Sequence, residues 1–152
     1  MRRLRLLLLI VVGLIVFLAI SAVLARVFSV DGAERTAITS LVQTEARGDA
    51  AGMIKRIHDC SPDPACRQRA TEDAANLKRS GSVKVLELEP SAGFSLGSTL
   101  GTSRVAWRAG GALPVVQCVR VRRAGNALSG LDVQLLEISR RIKSTAGCPA
   151  HY

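Results

Sequence analysis

Apolar residues concentrate first in one stretch. Leu6 to Ala25 carries no charge, and only Gly13 and Ser21 interrupt it. At 1.5 Å per residue it reaches roughly 30 Å, the hydrocarbon thickness of a bilayer. This predicts a transmembrane helix over residues 6–26. Residues 27–32 then read as a linker. Asp31-Gly32-Ala33-Glu34 has the form of a capping box. Ala37, Ile38, Leu41, Val42 and Ala46 recur at helical spacing, which predicts a helix to about Arg47. Gly48 is a natural stop and Asp49 a new N-cap. A second helix is expected from about Ala50 to His58, with Met53, Ile54 and Ile57 inward. Cys60 to Pro64 forms a corner. A third helix follows from about Ala65 to Lys78, with Cys66, Ala70, Ala74 and Leu77 on one stripe.

Beyond Gly81 the period drops to two. Ser82 to Glu89 reads as a strand closed by Pro90. Ser91 to Ser103 is a Gly/Ser-rich loop in which Phe94 and Leu96 form at most a brief strand. Arg104 to Arg108 alternates, with Val105 and Trp107 on one face. Leu113 to Arg123 places Val115, Gln117, Val119 and Val121 on one face and Cys118, Arg120 and Arg122 on the other. Gly125-Asn126 is a hairpin turn signal, and Leu128 to Ile138 is the last strand. Helices followed by antiparallel strands define an α+β fold: about three helices on a curved sheet of about four strands, behind the apolar segment.

Charge sets the orientation. The 152-residue chain has 48% apolar residues and a net charge of +9. Arg2, Arg3 and Arg5 precede the apolar run, so residues 1–5 read as a cytoplasmic tip. Residues 33–152 then form an extracytoplasmic domain of a single-pass cell-membrane protein in contact with the bilayer through residues 6–26. A cleaved signal peptide is the rival reading, although its apolar core is normally shorter. Removing the three arginines leaves roughly +6 outside. Its densest part is Arg120, Arg122 and Arg123 with Arg140, Arg141 and Lys143. These six form a candidate patch for an anionic lipid, cell-wall polymer or envelope protein. The compartment and the scarcity of aromatics argue against nucleic acid.

Cys60, Cys66, Cys118 and Cys148 all follow the apolar run. Four cysteines in an oxidising compartment imply two disulfides, with three pairings open. The turn-rich Ser61–Ala65 spacer favours Cys60 with Cys66, leaving Cys118 with Cys148. Chain entropy suggests roughly 2 kcal/mol for the short loop and roughly 3–4 kcal/mol for the long one. No C-x-x-C occurs, and His58 and His151 lack zinc-finger spacing, so no metal is expected. No phosphate fingerprint or nucleophile elbow occurs either, and no cofactor is implied. The triplet His58-Asp59-Cys60 reads as a helix end, not a catalytic site.

The order helix, Gly-Asp, helix and strand meander resembles the NTF2-like (cystatin-like, α+β cone) superfamily. The segment that carries the likeness is Ala33–Ile57, in which Gly48-Asp49 joins the two helices. The likeness extends over about Ala33 to Arg140. The Cys60–Cys66 corner and the Cys148 tail depart from it. It implies a cone between helices and sheet, with Trp107, Phe94 and Asp132 as candidate pocket residues. Ketosteroid isomerase-like members of the family use a buried carboxylate base there. No catalytic residue is assigned. The expected function is non-catalytic binding of a ligand or protein at a bacterial cell envelope. The alternatives are a small-molecule enzyme using the cone and, more weakly, a pilus-like subunit.

Overall fold

The computed structural model describes residues 2–90, 99–126 and 130–149. Its elements are α1 (Arg2–Ala46), α2 (Ala50–Arg56), α3 (Pro64–Asn76), β1 (Val83–Glu89), β2 (Thr99–Ala109), β3 (Val115–Asn126) and β4 (Gly130–Ile138).

The main correction concerns α1. It is one helix from Arg2 to Ala46, unbroken across 27–32 where the sequence predicts a linker. That stretch contains no proline, and the single Gly32 costs only about 1 kcal/mol in a helix interior. Asp31 does not cap a helix here but binds Arg123 on β3. Among the described residues no helix is long and apolar enough to cross a membrane, so the predicted transmembrane helix over 6–26 is not found.

Gly48 ends α1 at φ +74°, a left-handed conformation that a Cβ would strain. Its N–H donates to Glu45 O at 2.8 Å and that of Asp49 to Thr44 O at 3.1 Å. Asp49 then caps α2, accepting from Gly52 N at 2.8 Å. Asp63 caps α3 through Ala65 N at 2.9 Å, with Pro64 in the first turn. Proline is suited to that position because no partner is needed for its missing N–H.

The four strands form one antiparallel sheet in the order β1-β2-β3-β4. Gly125 and Asn126, expected as a turn, instead extend β3 and pair with Leu131 and Gly130. A bulge between Val85 and Glu87 leaves Leu86 out of the β1–β2 ladder. Strand alternation turns Val105 and Trp107 of β2, Val115, Val119 and Val121 of β3, and Leu135 and Ile138 of β4 toward the helices. Ile38, Leu41 and Val42 of α1, Met53 of α2, and Ala70 and Ala74 of α3 meet them. Each large side chain buried this way contributes about 1.5–3 kcal/mol relative to exposure.

The C-terminal segment continues alongside β3. Ser139 N donates to Cys118 O and Ile142 N to Val116 O, both at 2.8 Å. Cys148 then closes a disulfide to Cys118, and Cys60 is bonded to Cys66.

Candidate functional site

The six predicted basic residues do not form one patch, because strand register separates them. Arg120 and Arg122 lie on the sheet face away from the helices. Arg120 Nη1 is 3.5 Å from Glu137 Oε2, its cross-strand neighbour. Arg122 Nη1 donates to Gln134 Oε1 at 3.4 Å. Arg123 falls on the opposite, helix-facing side. It binds Glu34 at 2.6 Å and Asp31 at 3.0 Å. Arg140 pairs with Glu72 of α3 at 2.7 Å. That contact holds the half-buried Glu72 carboxyl below its ordinary range, with Gln68 assisting.

Arg141 and Lys143 are brought together. They line a groove of about 530 Å³ with Leu113, Pro114, Val116, Ile142 and Ser144. Arg141 Nη2 donates to Pro114 O at 3.3 Å. Among the described residues no carboxylate lies within ion-pair distance of either cation. Leu113, on the groove wall, is 78% exposed. The groove is held open by its anchorage. Ile142 bridges to Val116, and Arg104 donates to Ser144 O. The arrangement can accept anionic groups beside an apolar contact.

The candidate pocket residues part company. Asp132 pairs in register with Ala124, on the same face as Arg122, so it points away from the helices. It is exposed and accepts from Gln134 Nε2 at 2.6 Å. Phe94 lies outside the described residues. Trp107 is fully buried in the core, and its Nε1–H donates to Gln117 Oε1 at 2.8 Å.

The interior between the helices and the sheet holds carboxylates that the apolar pattern did not single out. Glu34, Glu45 and Asp73 are 0%, 0% and 3% exposed. Glu34 receives Arg123 and the Ser103 hydroxyl. Glu45 receives only a neutral donor, Gln117 Nε2, at 2.7 Å. Glu45 Oε2 and Asp73 Oδ2 have no hydrogen-bond partner. Burial pushes Glu45 up to about 8, against the Gln117 hydrogen bond and with help from Asp73. Burial likewise pushes Asp73 up to about 7, opposed by Arg69 and Arg140. The spacing carries a signal. Glu34 and Glu45 continue the Ile38–Leu41 stripe of α1, and Asp73 lies between Ala70 and Leu77 on the stripe of α3.

His58 and Asp59 meet, Nδ1 to Oδ2 at 2.9 Å, because α2 ends at Arg56 and the chain has left helical geometry. Asp59 takes φ +55°, which short polar side chains tolerate. Cys60 is buried and disulfide-bonded, so the triplet holds no thiol nucleophile.

Compared with family models, curated proteins and solved structures, the chain shows no significant match to any.

Proposed function

We propose that this protein is a non-catalytic binding domain of an oxidising, extracytoplasmic compartment, taking an anionic partner in the groove at Arg141 and Lys143. The observation that carries this reading is that pair of cations beside the exposed Leu113, in a groove that no acidic residue lines among the described residues. Two disulfides favour the compartment. The helices on an antiparallel sheet are in keeping with an NTF2-like cone. The large apolar side chains of Leu8–Leu24 are 46–69% exposed on every side of the helix. So large an exposed apolar surface favours association with lipid at the cell envelope.

The enzyme alternative loses its expected carboxylate, since Asp132 faces away from the cone. Glu45 faces inward but is sealed from solvent.

The test is binding of inorganic polyphosphate to the detergent-solubilised full chain. Joint Arg141→Glu and Lys143→Glu substitution should weaken binding at least tenfold. Arg140→Glu, whose guanidinium already serves Glu72, should change it less than twofold. Equal losses from both variants would mean that diffuse charge, not the groove, attracts the polymer.

A further inference from the structure

Two neighbouring helices each bury a carboxyl group that forms no ion pair among the described residues. Glu45 is on α1 and Asp73 on α3, and each keeps one oxygen buried without a partner. The groups around them come from four elements. Glu45 faces Gln117 of β3, whose amide also donates to Ser139 O at 3.2 Å, and Asp73 of α3. Arg47, two residues on, is turned to the Thr44 hydroxyl at 3.2 Å. Asp73 faces Arg69 and Glu72 of its own helix and Arg140 from the segment after β4. Arg140 is itself held by Glu72. No cation is paired with Glu45 among the described residues. An ionised carboxylate left unpaired in a protein interior is strongly unfavourable, and a proton is the smallest ligand that removes the charge.

We infer that Glu45 and Asp73 form a proton-binding site that fastens the middle of α3 to α1 while occupied. α3 is pinned at its start by the Cys60–Cys66 disulfide. Beyond its end, Arg79 N donates to Ala46 O at 2.9 Å. The Asp73 turn between these pins is the part free to respond. When the carboxyl O–H bonds break, the protons leave to solvent and two like charges remain. Those charges draw in water and part the helices. Because the two groups interact, the steps belong to the pair. Burial puts them near neutral pH.

Trp107 is a built-in reporter, being the only tryptophan. Its indole N–H reaches Glu45 through Gln117. Emission of the full-length protein should titrate between about pH 6 and 9. Asp73→Asn should move the midpoint to lower pH, because the like charge is gone. Glu45→Gln should abolish the step. The amides of α3 should open at least tenfold more at pH 9 than at pH 6 after correction for intrinsic exchange, while those of β3 stay protected. Flat emission in the parent, or an unchanged step in Glu45→Gln, would overturn the inference. Carboxyl carbon-13 shifts of the unaltered protein give a second reading that needs no variant. Near-neutral titration of these two groups supports the site, and titration of both near pH 4 sinks it.

Discussion

Glu34 and Glu45 lie on one stripe of α1, about three turns apart, and both are fully buried. Their surroundings differ completely. Glu34 meets the Arg123 guanidinium and the Ser103 hydroxyl, whereas Glu45 meets one neutral amide. Both partners come from the same face of β3, with Arg123 at one end and Gln117 toward the other. Burial alone therefore does not decide what a carboxyl does. The residue that the facing strand delivers decides it. One end of the α1–β3 interface is an ion pair, and the other is a reservoir for a proton.

The strongest way to break the comparison is to remove the cation. Arg123→Met takes the guanidinium away from the buried Glu34, and stability should fall by about 3–5 kcal/mol in urea denaturation at pH 7. Adding Glu34→Gln should recover part of that loss. A loss below about 1 kcal/mol would mean that water reaches Glu34.

The next effect is on pH dependence. The folded Glu45 and Asp73 carboxyls titrate above their unfolded values of 4.5 and 3.8. Their contribution is thus fully present below about pH 4 and is lost as pH rises through about 7 to 8. Over that window stability should fall by up to about 1.4 kcal/mol per pH unit for each proton. Glu45→Gln should flatten the curve and exceed the parent in stability at pH 9. A parent curve that rises from pH 5 to 8 would contradict this sign. The smallest effect is at the hydroxyl. Ser103→Ala should cost about 1 kcal/mol by the same assay, equally at pH 5 and pH 9, because no titrating group of the pair is touched.

Periodicity made much of the core legible. Ile38, Leu41, Val42 and Ala46 on α1, and Val115, Val119 and Val121 on β3, stand where their spacing puts them. Gly48-Asp49 divides two helices for the local reasons its residues suggest. What escaped depended on distant partners. Asp31 reads as a cap until β3 brings Arg123 to it across 92 positions. Glu34 reads locally as the far end of a capping box, and periodicity of apolar residues alone does not bring Glu45 and Asp73 into the core although their spacing is visible. Plain alternation with Val119 and Val121 turns Arg123 inward, whereas the path of the chain after β4, which the sequence does not reveal, brings Arg141 and Lys143 together.

The Cys118–Cys148 bond has a mechanical consequence. It closes a covalent ring that contains the whole of β4. β4 is an edge strand, and an edge strand pulled from its end ordinarily unzips one hydrogen bond at a time. Tension applied beyond Cys148 bypasses β4 and passes through sulfur to Cys118, in the interior of the sheet. There it loads the ladders on both sides of β3 in shear. That margin of the sheet is thereby taken out of the line of force.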